Sequence, residues 1–377
     1  MTTLGSFSRA DRSIVGRWWW TVDRMSLVAL LVLAGIGAML ILAASPAVAT
    51  RIGIPDSFHF VKRQLMVLPA ALLVMIAISL LSPRNIRRLA VVGFIGGLGM
   101  LALTLVAGQE IKGARRWISL AGQSIQPSEF VKPCFAVVAA WMFAEQRKGR
   151  GVPGFLICTG LYLVVVALLL KQPDLGMTVV ITAIWLIQFF LAGLPMIFVL
   201  IGGFGAVTGL IGAYFLLPHV ASRIDRFLDP AAGDRYQVDK AMDAFANGGA
   251  FGRGPGEGVA KAFIPDVHAD FIFAVAGEEY GLITCLIIVA LFGFVVLRGF
   301  AKLLQESNLF VLLAGTGLLV QFGLQAFINM ASTLHMIPTK GMTLPLISYG
   351  LSSLFAIALG MGMLLGLTRR RFGESDL

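Results

Sequence analysis

The chain has 377 residues, of which 58% are hydrophobic and 13% charged, with a formal net charge of +10 and a mean hydropathy of +0.86. A soluble domain averages about 45–50% apolar and roughly 25% charged residues, so this composition excludes an ordinary soluble protein and points to an integral membrane protein. The cysteines Cys134, Cys158 and Cys285 all fall in apolar stretches and imply neither a disulfide framework nor a zinc site.

The first element expected is a basic, tryptophan-rich lead over residues 1–24, where RWWWTVDR sets Trp18, Trp19 and Trp20 beside Arg17 and Arg24. Such a mixture suits a cytoplasmic headgroup anchor. About 20 apolar residues cross ~30 Å of hydrocarbon at ~1.5 Å per residue. Runs of that kind lie near 25–46, 63–82, 88–107, 128–145, 153–171, 175–193, 195–217, 271–297, 308–334 and 342–367. The predicted fold is therefore an all-α integral membrane protein. It is a bundle of ten transmembrane helices over 25–367 with one large extracytoplasmic loop, 218–270, between helices 7 and 8, then a cytoplasmic basic tail, 368–377. Ala47, Val48 and Ala49 resemble a signal-peptidase site. The apolar run before them is about twice the usual ~7–15 residues, which marks an uncleaved anchor.

Lys and Arg close to span ends stay in the cytoplasm. Ten spans place both termini on one side, and that side collects Arg9, Arg12, Arg17 and Arg24, then Arg84, Arg87 and Arg88, then Arg147, Lys148 and Arg150, then Arg298 and Lys302. Both termini are accordingly expected in the cytoplasm. The outer face nevertheless keeps basic clusters around 112–116 and within 218–270, a surplus that anionic ligands would explain. No internal repeat is visible, which weighs against an alternating-access transporter.

Within the long loop, an amphipathic piece near 236–246 precedes the glycine-rich GRGPGEG. Glycines at that density either let backbone approach a ligand or simply turn the chain, and the trailing Lys-Ser/Thr of a nucleotide P-loop is missing. The loop then runs into PDVHADFIFAVAGEEYG, which puts Asp270 at the outer end of the eighth span and Glu278 and Glu279 roughly 12–14 Å deeper at ~1.5 Å per residue. Ionisable groups at membrane depth are costly and are functional candidates by default, the alternative being a pair with a neighbouring helix. Asp270, at the water-facing mouth, is the better placed general base.

Glu129 and Lys132 share one face at the start of the fourth span, as a structural ion pair or as part of an anionic-ligand pocket. Gln321, Gln325 and Asn329 form a polar stripe of the kind that joins membrane helices. In PTKGMTLPLISYGLSS, Pro338 and Pro345 bracket Lys340 and Gly341, which predicts a re-entrant segment or broken helix start carrying Ser348 and Tyr349. The four histidines are scattered without metal-ligand spacing. Asp or Glu together with a substrate pyrophosphate leaves a divalent cation, Mg or Mn, as an open route.

Four long motifs resemble the shape, elongation, division and sporulation (SEDS) family typified by FtsW and RodA. They are KGARRWISLAGQSIQPSEFVK, KQPDLG, GRGPGEGVAKAFIPDVHADFIFAVAGEEYG and NMASTLHMIPTKGMTLPLISYGLSS, spread over most of the chain. The resemblance implies an inverting glycosyltransferase that polymerises lipid II into peptidoglycan at the outer face of the bacterial inner membrane. The family's catalytic aspartate lies in an H-T-D-F-I-F motif that here reads from His268 to Phe273, making Asp270 the candidate base. Lys112, Arg115, Arg116, Arg253, Lys261 and Lys340 are the available cations for the departing pyrophosphate, and Glu129, Lys132, His268 and Ser348 are further substrate-site candidates. Three positions depart from the family pattern: Ala269 for threonine, Asp266 for glutamate, and Leu351 for a second glycine. The lead and the wording GPGEG and PTKGMTLP resemble the division branch more than the elongation branch. Expected partners are lipid II and the growing glycan strand, a class B penicillin-binding protein, other cell-division proteins at the septum and the membrane, with no nucleic acid. A lipid II flippase and a non-catalytic scaffold are the competing readings.

Overall fold

The computed structural model describes residues 13–111, 114–120, 122–149, 151–193, 195–216, 218–229, 236–339 and 341–369. Helices α1 (Ile14–Thr21), α2 (Arg24–Arg51), α3 (His59–Ser79) and α4 (Pro83–Ala107) lead into a small antiparallel sheet. Its strands β1 (Gln109–Ile111), β2 (Ala114–Leu120) and β3 (Gln123–Ile125) have β2 in the centre. Then come α5 (Pro127–Arg147), α6 (Gly154–Lys171), α7 (Leu175–Leu191), α8 (Met196–Leu216), α9 (Pro218–Leu228) and α10 (Tyr236–Gly248). After a 3-10 turn at Ala260–Phe263, the chain closes with α11 (Ile272–Leu303), α12 (Leu309–Thr333) and α13 (Leu351–Leu367).

Among the described residues, seven helices are long and apolar enough to cross a membrane: α2, α3, α4, α6, α8, α11 and α12. Helices α7 and α13 are apolar but shorter, and α5, which carries Glu129 and Lys132, coincides with another expected span. Local chemistry sets several starts. Ser82 caps α4 ahead of Pro83, Asp174 caps α7 through the Met177 N–H at 3.3 Å, and Asn308 caps α12 through the Val311 N–H at 3.2 Å. Helix α5 is buried along most of its length and forms the centre of the bundle, while α2, α4 and α6 turn leucine, isoleucine and valine outward, as lipid-facing helices do. Close backbone approach relies on small residues: a Cβ at Gly362 would lie 2.7 Å from the Met75 carbonyl of α3.

The structure departs from the sequence reading in two places. The fold is not helical throughout, since the sheet replaces what was expected as loop between the third and fourth spans. The tenth span begins at Leu351 instead of residue 342, because 341–350 is irregular backbone.

The glycine-rich loop is spliced into α11. At Gly281 the backbone turns to φ +78, breaking the helical ladder. The freed Leu282 and Ile283 N–H groups donate to the carbonyls of Gly249 and Ala250 at 2.9 and 3.3 Å. In return, Arg253 and Gly254 N–H groups donate to the carbonyls of Glu278 and Glu279 at 2.9 and 3.0 Å. The loop thus completes the backbone bonding that the kink interrupts.

The end of the bundle nearest the N-terminus is tied by Asp23. Its carboxylate, 4% exposed, accepts from Arg298 at 2.9–3.0 Å and from Ser26 at 2.8 Å, and lies 3.1 Å from Lys302. Trp18 of α1 donates its indole N–H to Ser79 Oγ at 2.8 Å, so the lead packs onto α3. Burial acts to raise the Asp23 carboxyl, but the Arg298, Ser26 and Lys302 bonds outweigh it and hold the group down at about 2. A depressed carboxyl stabilises the fold above its unfolded value near ~3.9 and loses that contribution as pH falls toward the folded value. We therefore expect Asp23→Asn to lower stability by about 1.5–3 kcal/mol at neutral pH, the worth of bonds to a charged group. Melting in detergent should show the wild-type advantage constant from pH 7 to 5 and shrinking below pH ~4.

Candidate active site

Asp270 lies two residues before α11, on a tight turn in which the Ala269 and Asp270 N–H groups both bond the Asp266 carbonyl, at 2.9 and 3.0 Å. Opposite it runs the irregular segment 341–350, whose Gly341 faces the carboxylate so closely that a Cβ there would sit 3.2 Å from Asp270 Oδ2. The stripe on α12 holds that segment: Gln325 bonds Thr343 O at 3.2 Å and Asn329 bonds Met342 O at 2.6 Å. Irregular backbone is tolerated here because it is bonded within the protein and borders a cavity.

The cavity has a volume of about 770 Å³ and Asp270 is on its wall. From the sheet it receives Arg116 and Trp117, and from α3 it receives Arg63. Gln126, just before α5, and Gly350, Ser352 and Ser353, at the start of α13, complete that side. Two helix N-termini therefore open on the same space, bringing partial positive charge and N–H groups outside the helical ladder to it. Phe227 and Val238 contribute from α9 and α10. Leu351 also lines the cavity; its φ is not positive, so nothing in the local backbone requires a glycine there.

The expected site residues divide into three sets. Asp270, Arg116 and Glu129 line the cavity together. Arg116 donates to the carbonyls of Gln172 and Pro173 and lies 3.9 Å from Asp174, which docks the KQPDLG turn against the sheet. Lys132 stands behind Glu129 at 2.9 Å, almost wholly buried, and donates to Gln325 Oε1 at 2.7 Å.

The second set lies elsewhere. Arg115 points the other way from Arg116 on β2 and pairs with Glu110 at 3.3 Å on an exposed surface. Arg253 bonds Asn247 in the glycine-rich loop. Lys261 is buried against Glu279 and Ala43 O and borders a different cavity, between α2 and that loop. Ser348 fastens backbone to backbone, donating to Ala269 O at 2.5 Å and accepting from Leu344 N–H at 2.8 Å. His268 is wedged between the rings of Phe60 and Tyr349, 4.5 and 5.1 Å away. Burial lowers its pKa to about 4 against an opposing pull from Asp266, so it stays neutral near pH 7 and adds no positive charge. The third set, Lys112 and Lys340, lies outside the described residues.

Glu278 and Glu279 have structural partners. Glu278 accepts three backbone N–H groups, from Val259, Ala260 and Lys261, at 2.7–2.9 Å, and Glu279 is paired with Lys261. Arg63 is the cavity cation that sequence reasoning overlooked as a site residue; it donates to Gln123 Oε1 at the end of the sheet. Its one sequence signal was a basic residue just inside an apolar span. Among the described residues no three His, Cys, Asp or Glu side chains converge on a metal position. The acidic residues on the cavity wall, Asp266, Asp270 and Glu129, do not form such a group.

The family model FTSW_RODA_SPOVE, described as cell cycle protein, matches residues 24–372. The chain belongs to that family. A relative from Caulobacter vibrioides, named probable peptidoglycan glycosyltransferase FtsW, is 48% identical over 98% of this chain and 94% of its own length. A relative of the same name from Trichlorobacter lovleyi is 33% identical over 92% of this chain and 93% of its own. Among solved structures, a chain from work on the structural coordination of polymerization and crosslinking by a peptidoglycan synthase complex superposes with a TM-score of 0.76 and 30% identity. It covers 93% of this family member and 98% of that chain. The rod shape determining protein RodA of Thermus thermophilus superposes with a TM-score of 0.68 and 29% identity, covering 93% and 97%.

Proposed function

We propose that this chain is a peptidoglycan glycosyltransferase that polymerises lipid II at the outer face of the bacterial inner membrane, with Asp270 as its general base. The observation that carries the reading is one carboxylate, Asp270, on the wall of a cavity that also receives Arg63, Arg116 and two helix N-termini. In the reaction the Asp270 carboxylate takes the proton of the acceptor GlcNAc 4-hydroxyl. The oxygen attacks the anomeric carbon of the lipid-linked MurNAc, a C–O bond forms with inversion, and the bond to undecaprenyl pyrophosphate breaks. Negative charge grows on the leaving pyrophosphate, and guanidinium groups with helix N-termini stabilise charge of that kind. Arg63 and Arg116 replace the wider cationic set as the phosphate-binding pair, with Lys112 and Lys340 as further candidates.

On this reading ten helices span the membrane, α2 to α8 and α11 to α13, both termini are cytoplasmic, and 218–270 is the periplasmic loop. The high identity to relatives named FtsW supports a division role at the septum, with a class B penicillin-binding protein crosslinking the product. A flippase is less well supported, because the buried charges Glu278, Glu279 and Lys132 are bonded to the fold instead of forming a polar path.

The test is purified protein with fluorescent lipid II, with and without the cognate transpeptidase. Glycan ladders on a gel are expected; redistribution of lipid II across vesicles with no ladder would overturn the reading. In the same assay, Arg63→Ala and Arg116→Ala should each lower kcat/KM by about 10–100-fold, matching ~1.5–3 kcal/mol for a charged hydrogen bond. Arg115→Ala, on the exposed face of β2, should stay within about twofold, as surface ion pairs contribute little.

A further inference from the structure

Asp270 does not belong to a helix, so something other than its own element must fix its carboxylate. The turn that carries it offers three successive carbonyls, and each is taken by a group from a distant part of the chain. Tyr349 N–H donates to His268 O at 2.9 Å, Ser348 Oγ donates to Ala269 O at 2.5 Å, and Asn329 Nδ2 donates to Asp270 O at 2.9 Å. The third bond is the one on the carboxylate-bearing residue itself.

Asn329 sits on α12 with no exposed surface and is not on the cavity wall. Its second amide hydrogen goes to Met342 O at 2.6 Å, one residue after the Gly341 that faces the Asp270 carboxylate. Both acceptors are carbonyl oxygens, which cannot donate, so the amide orientation is fixed: nitrogen toward the two carbonyls, Oδ1 away. That Oδ1 has no hydrogen-bond partner among the described residues. A buried amide oxygen left unmatched is unfavourable, but the same amide supplies the two donors that the Asp270 and Met342 carbonyls would otherwise lose.

We propose that Asn329 is a positioning residue for the reaction: one side-chain amide clamps the backbone on both sides of the Asp270 carboxylate and sets its distance from the segment 341–343. The proposal rests on Asp270 being the base. Asn329 touches no substrate on this geometry, so its loss acts through the placement of Asp270, and a displacement of about 1 Å in a reacting group can lower rate by roughly 100-fold.

The experiment uses full-length Asn329→Ala and Asn329→Asp in the ladder assay with the cognate transpeptidase present, beside size-exclusion profiles, lipid II binding and Asp270→Asn. Expected is a monodisperse Asn329→Asp protein with lipid II affinity within about threefold of wild type and kcat lower by about 10–100-fold. Asn329→Asp keeps the shape but turns both donors into acceptors facing carbonyls, so it should be at least as slow as the alanine variant. A folded variant with unchanged kcat, or equal losses in affinity and kcat, overturns the proposal. Failure of both variants to fold assigns Asn329 a purely structural role and also overturns it. If instead Asp270→Asn polymerises normally, the base assignment is what fails, whatever the Asn329 variants do.

Discussion

Asp270→Asn is expected to abolish glycan ladders in the lipid II assay while leaving expression, monodispersity and capture of the partner transpeptidase at wild-type levels. The amide is nearly isosteric with the carboxylate and keeps its place opposite Gly341, where a Cβ would come within 3.2 Å of Oδ2. What it loses is the ability to accept a proton from the sugar hydroxyl, and general base catalysis typically contributes about 10²–10⁴-fold. The backbone bonds of the turn do not depend on the side chain: it is built by backbone N–H groups onto Asp266 O, and Asn329 bonds the Asp270 carbonyl. A loss of activity with an intact fold therefore isolates proton transfer. An Asp270→Asn variant that forms ladders at the wild-type rate would remove Asp270 from the chemistry and assign the proton transfer to another group, while polymerisation itself would stand.

Hydropathy makes the helices legible, because a lipid-crossing segment must satisfy its own backbone and advertise its length as a continuous apolar run. The expected span 308–334 differs by one residue at each end from Leu309–Thr333, and 153–171 differs by one from Gly154–Lys171. The sheet at 109–125 gave no such signal, since two of its strands have only three residues and the seven of ARRWISL do not alternate apolar with polar. Charge told which residues needed partners but not which partners. Lys132 meets Gln325 across 193 positions, and Lys261 meets Ala43 O across 218, so local spacing could not separate cavity residues from buried struts. Arg115 and Arg116 show the difficulty at its sharpest. They are adjacent and chemically identical, yet strand alternation sends one to the surface and the other to the cavity.

The glycine-rich loop carries the largest expected effect on folding, and it turns a motif that could have served a phosphate into a structural splice. Gly252 has φ +83, and a Cβ there would lie 2.1 Å from the Glu279 carbonyl oxygen and 2.5 Å from the Tyr280 nitrogen. Those atoms are backbone and cannot swing aside. Gly252→Ala should therefore fail to seat the loop against α11, exposing Leu282 and Ile283 N–H groups that now bond Gly249 and Ala250 carbonyls. In hydrocarbon or buried protein, each orphaned backbone group costs several kcal/mol (about 2–7). Gly256→Ala is the matched control: its φ is +88 but nothing lies within 4 Å of the added carbon, so only the left-handed strain of ~1–2 kcal/mol remains. Size-exclusion profiles and melting in detergent should show Gly252→Ala losing most of its folded yield and Gly256→Ala keeping it. Equal yields would mean that the loop is not spliced into the helix, and that Asp270, eleven residues before the Gly281 kink, depends on other contacts for its position.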